Sequence, residues 1–197
     1  MRIFSKYALF LIAASALSTG ASAHTGHGAH SLMEGLTHPF GADHLLAMLA
    51  VGIWSVSALP ANKVWQGPAT FMLVLALSAA LGASGVTLPY LEHAIAISVT
   101  LFGLMLVIAT KPAPKALGLV LVAVAASLHG LAHGAETPET GFAGYAAGFL
   151  LTTGVLHMGG VGVGISIRRF LGQRRTMLLS AMGTLLGFAG LYLFSQI

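Results

Sequence analysis

The sequence predicts an all-α integral membrane protein with six transmembrane helices behind a cleavable signal peptide. Three observations carry that expectation. The 197 residues are 56% hydrophobic and 7% charged, with a mean hydropathy of +0.89, whereas a soluble domain carries roughly 25% charged residues. The apolar residues fall in runs of about twenty, long enough to cross a bilayer as helices. The basic residues are confined to a few short loops, which reads as membrane orientation and excludes nucleic acid as a partner. The ten-residue alternation of an outer-membrane barrel is missing. There is no cysteine, so there is neither a disulfide nor a thiolate ligand, while nine histidines stand against five acids.

The N-terminus has the pattern of a signal peptide over 1–23. Arg2 and Lys6 form the charged region, Tyr7 to Leu17 the apolar region, and Ala21-Ser22-Ala23 a small-residue cleavage site. The alternative is an uncleaved anchor helix. Cleavage would leave His24 at the start of a polar periplasmic segment, 24–31, which reads as a linker or as a place where histidines meet metal weakly. Residues 32–197 form the expected membrane domain, with apolar segments at 33–59, 65–84, 88–110, 115–134, 141–167 and 175–196.

Loop charges orient these segments. Lys63 follows the first, Lys111 and Lys115 the third, and Arg168, Arg169, Arg174 and Arg175 the fifth. The loop after the fourth carries Glu136 and Glu139 instead. All basic residues beyond the signal peptide therefore lie on one side, which the positive-inside rule assigns to the cytoplasm. Both mature ends then lie in the periplasm. The six segments also divide as three plus three with opposite orientations, the pattern of an inverted repeat, although the halves share no convincing identity.

Two clusters carry the chemistry. His129, His133 and Glu136 stand at i, i+4 and i+7, within about 60° of one another on a helix. Two imidazoles one turn apart hold one metal ion, and the carboxylate continues the face; the plain alternative is a pair of histidines hydrogen-bonded in a helix interface. The stretch from His38 to His44 is less regular. His38 and His44 would stand about 240° apart on an unbroken helix. Either the helix is interrupted near Pro39–Gly41, or His38, Asp43 and His44 serve different neighbours. Asp43 binds metal directly, orients an imidazole, or caps the helix. Met48, one turn beyond His44, reads as packing. Glu92 and His93 fall at a similar depth. His157 lies deeper, about two thirds through the fifth segment, as a further station or a hydrogen-bonded core histidine. Thr153-Gly154 and Gly159-Gly160 permit a helix break around it, or simply close packing.

Ionisable groups at membrane depth are rare without a partner or a role. Nitrogen and carboxylate donors without thiolates suit nickel, cobalt or zinc rather than copper(I) or alkali ions, so the cluster is expected to take a divalent ion as cargo, with no prosthetic group. No nucleotide-binding Gly-x-x-x-x-Gly-Lys-[Ser/Thr] appears, so the chain does not itself hydrolyse ATP. An intramembrane zinc hydrolase is the competing class, but its His-Glu-x-x-His signature is missing. A metal sensor or assembly factor would need no transport path, and the lack of a soluble domain argues against it.

His-Pro-x-Gly-x-Asp-His followed by Leu-x-Ala-Met-x-x-Val-Gly-x-Trp, His38 to Trp54, resembles the first motif of the HupE/UreJ nickel permeases. Leu128-His-Gly-x-Ala-His-Gly-x-Glu136 is similar to the second, with Leu128 where the family usually has Phe. The resemblance covers the whole mature chain. It implies a six-helix permease of the bacterial inner membrane, non-enzymatic, that takes up Ni2+ for hydrogenase or urease; some relatives are associated with Co2+. It implies that the histidines and acids of both motifs are essential: His38, Asp43, His44, His129, His133 and Glu136. It extends with less force to Glu92, His93 and His157. Alkaline phosphatase fused after Glu136 should be active and fused after Gly172 inactive; the reverse pattern would invert the orientation.

Overall fold

The structure, a computed structural model, describes residues 29–137 and 141–197. The expected signal peptide, His24 and Glu139 lie outside them. Seven α-helices are present among the described residues: α1 (Ala29–Thr37), α2 (Ala42–Ala58), α3 (Gln66–Ala83), α4 (Leu91–Val107), α5 (Lys115–Ala135), α6 (Phe142–Phe170) and α7 (Arg175–Ser195). No strand occurs among these residues. The protein is all-helical, as its hydropathy predicts.

Four runs are long and apolar enough to cross a membrane: Ala61–Ala83, Lys115–Ala135, Phe142–Phe170 and Gly172–Ser195. A fifth is the pair Leu32–Phe40 and Ala42–Ala58, bent by 73°. α4 has 17 residues, about 26 Å of helix against a hydrocarbon core of about 30 Å. The count of candidate spans is thus four to five against the six expected. The outer surface suits lipid. Leu73, Leu77 and Leu81 on α3, Val120 and Val124 on α5, Leu151, Val155 and Met158 on α6, and Leu185 and Phe188 on α7 all stand exposed.

The bend has a local cause. Proline lacks the N–H that a continuing helix needs, and its ring disfavours helical geometry in the residue before it. α1 accordingly stops at Thr37, and a single tight turn spans His38–Phe40 with Pro39 buried. Gly41 then takes an extended conformation, φ −52° and ψ 140°, and its carbonyl accepts the first bond of α2 from Leu45 N–H at 2.9 Å.

Helices pack in three close pairs: α2 with α6, α3 with α5, and α4 with α7; α1 also lies along α6. Small residues set the approach. A Cβ at Gly52 of α2 would stand 2.5 Å from the His157 carbonyl, and one at Gly160 of α6 would stand 2.5 Å from that of Leu49. α6 runs without a break through His157, so the glycines around it serve packing. α6 also extends to Phe170, which places His157 near its middle rather than two thirds along.

The two ends of the bundle differ in charge. At one end Ser57, Thr110, Arg168 and Arg175 line a common small cavity, and Arg168 Nη1 donates to the Val56 carbonyl at 3.4 Å. At the other end Asp43, Glu92, Leu193, Gln196 and Ile197 surround a cavity of about 210 Å³. Gly160→Leu should overpack the α2–α6 contact and destabilise the protein by about 1–3 kcal/mol, read as a lower unfolding midpoint in detergent. Gly162→Ala, with nothing within 4 Å of the added carbon, should leave that midpoint unchanged or raise it.

Candidate metal centre

The break between α1 and α2 decides the geometry of the centre. It turns His38 and His44 toward the same partner on α5. His38 Nε2 lies 2.8 Å from His133 Nδ1, and His44 Nδ1 lies 3.0 Å from His133 Nε2. Of the two alternatives, the interruption near Pro39–Gly41 is the one present, and it brings together two histidines that a straight helix would separate. On α5 the residues at i, i+4 and i+7 divide between two groups that meet at the middle one, His133. His129 and His133 both point inward, and Glu136 follows at the end of the helix. Gly130 and Gly134, between them, let the α3 backbone at Leu75 and Ala79 come into contact.

Two groups result, sharing His133. The outer one is His38, His133 and Glu136. Its atoms form a triangle: 2.8 Å between the imidazoles, 3.1 Å from His38 Nε2 to Glu136 Oε2, and 3.4 Å from His133 Nδ1 to the same oxygen. Ligand atoms 2.0–2.1 Å from one ion stand about 2.9 Å apart at a right angle and about 3.4 Å apart at the tetrahedral angle. The triangle already has those dimensions. The inner group is His44, His129 and His133, with ligand atoms within 4.8 Å of one another. Within it His133 Nε2 and His44 Nδ1 stand 3.0 Å apart, a separation that two ligands of one ion also show.

Burial separates the groups. Glu136 is half exposed, with 51% of its side chain accessible, whereas His44 is 1%, His129 0% and His133 8% exposed. Hydrogen bonds from His133 and then His38 hold the Glu136 carboxyl down at about 2 against the opposing effect of burial. It is therefore ionised at neutral pH and presents a negative charge at the outer end.

One face of α6 supports the imidazoles at four-residue steps. Tyr145 packs edge-on to His38 with ring centroids 5.7 Å apart. Phe149 touches His38, His44 and His133 at 6.1, 5.1 and 4.7 Å. Thr153 Oγ1 meets His44 Nε2 at 3.2 Å. His157 follows, buried, with Phe71 of α3 against it at 5.1 Å. Tyr145, Phe149, Thr153 and Phe71 carry no metal-site motif of their own in the sequence. The signal for the α6 residues was their shared period with His157.

Other sequence candidates lie elsewhere. Among the described residues Asp43 joins neither group and bonds to none of the imidazoles; it lines the 210 Å³ cavity with Glu92. Asp43 directly precedes His44, and neighbouring helix residues point about 100° apart. Glu92 is exposed. His93 packs on Phe194 and Tyr90, at 5.1 and 5.9 Å, away from both groups. Met48 is wholly buried in the apolar core.

A lipid-facing helical bundle whose interior holds imidazoles defines this chain as a multi-pass membrane protein. Comparison with known proteins goes further. The HupE / UreJ protein family matches residues 12–193. Protein HupE of Rhizobium leguminosarum bv. viciae is 40% identical over 181 residues, covering 91% of this chain and 92% of that protein. The chain belongs to the HupE/UreJ family. No solved structure matches it.

Because His133 belongs to both groups, its removal should weaken Ni2+ binding more than removal of a residue confined to one. By calorimetry on purified protein, His133→Gln should lower the affinity at least about tenfold, and more than His38→Gln or His129→Gln does.

Proposed function

We propose that the chain is a secondary permease for divalent transition-metal ions, and that it takes Ni2+ from the periplasm into the cytoplasm for maturation of a metalloenzyme such as a hydrogenase or urease. The observation that carries this reading is the descent of donor groups along one line: Glu136 at the open end, His38 and His133 beneath it, then His44 and His129 fully buried. Buried imidazoles are costly at membrane depth unless used. A single closed site would hold an ion; sites in series of moderate strength let it pass. Membership in a family of nickel- and cobalt-transporter-type accessory proteins supports the same cargo.

In this reading Glu136 and His38 receive the ion, His133 passes it inward, and His44 and His129 hold it next. Asp43 adds negative charge beside them. The basic end faces the cytoplasm, α4 is the third of six crossings, and residues 1–23 are removed, leaving both ends in the periplasm of the inner membrane. The helix pairing supports a three-plus-three repeat. Exchanging the first three segments for the last three turns the α2–α6 pair into α3–α5 and leaves α4–α7 unchanged. A membrane potential of 100 mV would contribute about 4.6 kcal/mol to the inward movement of a divalent ion. The same donors suit Co2+, so a cobalt permease of identical mechanism is the alternative. Flux of the two ions into liposomes, measured side by side, separates them.

Cells expressing the chain should accumulate radioactive nickel, and His129→Ala and His133→Ala should each abolish the uptake. Undiminished uptake in both variants would overturn the assignment.

A further inference from the structure

Two buried nitrogens remain without a partner among the described residues: His129 Nδ1 and His157 Nε2. Their neighbours determine what those nitrogens carry. His157 Nδ1 lies 2.9 Å from the Thr153 carbonyl. A carbonyl only accepts, so Nδ1 bears the proton and Nε2 bears the lone pair. Ser98 Oγ lies 2.7 Å from the Ile95 carbonyl and 3.1 Å from His129 Nε2. The single hydroxyl proton goes to the carbonyl, so His129 Nε2–H donates to the hydroxyl oxygen. His129 Nδ1 is then the bare nitrogen.

A lone pair with no donor, in a side chain 1% exposed or less, is costly for a merely structural histidine. It is what a metal ligand requires. Donation of the far ring N–H to a carbonyl or hydroxyl is also how metal-binding imidazoles are oriented. The same Phe71 ring packs on both, with centroids 5.8 Å from His129 and 5.1 Å from His157. Thr153 ties the deeper residue to the shallower group, because its carbonyl holds His157 while its hydroxyl meets His44.

We propose that His157 Nε2 is a ligand for the transported divalent ion at a second, deeper position. The ion reaches it from His129 Nδ1, past the edge of Phe71. Resting on the permease reading above, the proposal places the last imidazole of the line near the middle of α6, one turn below Thr153. The ion there exchanges one neutral nitrogen donor for another; no bond to carbon or hydrogen is made or broken.

The test uses the full-length purified chain with Ni2+ and Co2+ as probes. His157→Gln should still bind Ni2+ at the outer groups, while Ni2+ flux into proteoliposomes falls at least about tenfold. His157→Cys gives an independent readout, because the chain contains no other cysteine. Co2+ should then produce a thiolate-to-cobalt charge-transfer absorption, since a coordinating thiol is deprotonated. Native flux in His157→Gln would overturn the proposal and leave the permease reading standing. So would a folded His157→Cys protein that binds Co2+ without that absorption. A native chain that neither binds nor passes divalent ions would overturn both.

Discussion

The centre depends on one covalent constraint: the proline ring at position 39 cannot continue the helix that precedes it. The meeting of His38, His44 and His133 follows from the resulting 73° bend. Without it, His38 and His44 would stand about 120° apart around a single rod, too far to share one partner on α5. With it, each contacts a different nitrogen of His133. A backbone interruption at this depth leaves peptide groups without helical partners, which lipid cannot satisfy. The break is tolerable because α1 and α2 both lie along α6, and Thr152 Oγ1 donates to the Leu36 carbonyl at 2.9 Å.

Helix α6 is therefore more than a lipid-facing span. Its one face carries, in four-residue steps, an aromatic ring for the outer imidazoles, a second ring, a hydroxyl for His44 and finally an imidazole of its own. The opposite side presents Leu151, Val155 and Met158 outward. The glycine contact at Gly52 and Gly160 draws α2 close enough for these steps to register.

Much of this was legible in the residues. Hydropathy located α2 to α7, because long apolar runs have few alternatives in a bilayer; it merged α1 with α2 and took the start of α1, at Ala29, as part of a linker. The i, i+4, i+7 spacing on α5 set His129, His133 and Glu136 on one face, because helical period alone determines that face, but it gave no sign that His129 and Glu136 would join different groups. The 240° separation of His38 and His44 showed that the chain must break or the pair must part; choosing between these required knowing what α1 packs against. Asp43 was read with its neighbours in sequence, yet its carboxylate turns toward Glu92 and the end of α7. That direction depends on how α2 rotates against α6, a tertiary matter invisible to local pattern. The arginines at 168 and 169 suggested an earlier end to α6 than the helix observes, since charge marks where lipid stops and not where hydrogen bonding stops.

His133 stands in both groups through different nitrogens, Nδ1 toward Glu136 and Nε2 toward His44. A neutral imidazole owns one lone pair. A cation held through Nδ1 leaves the hydrogen on Nε2, and the inner group is then short of a donor; transfer inward requires the ring to swap its tautomer. In the permease reading proposed above, the shared residue would then act as a turnstile, passing one ion inward before the outer group takes another.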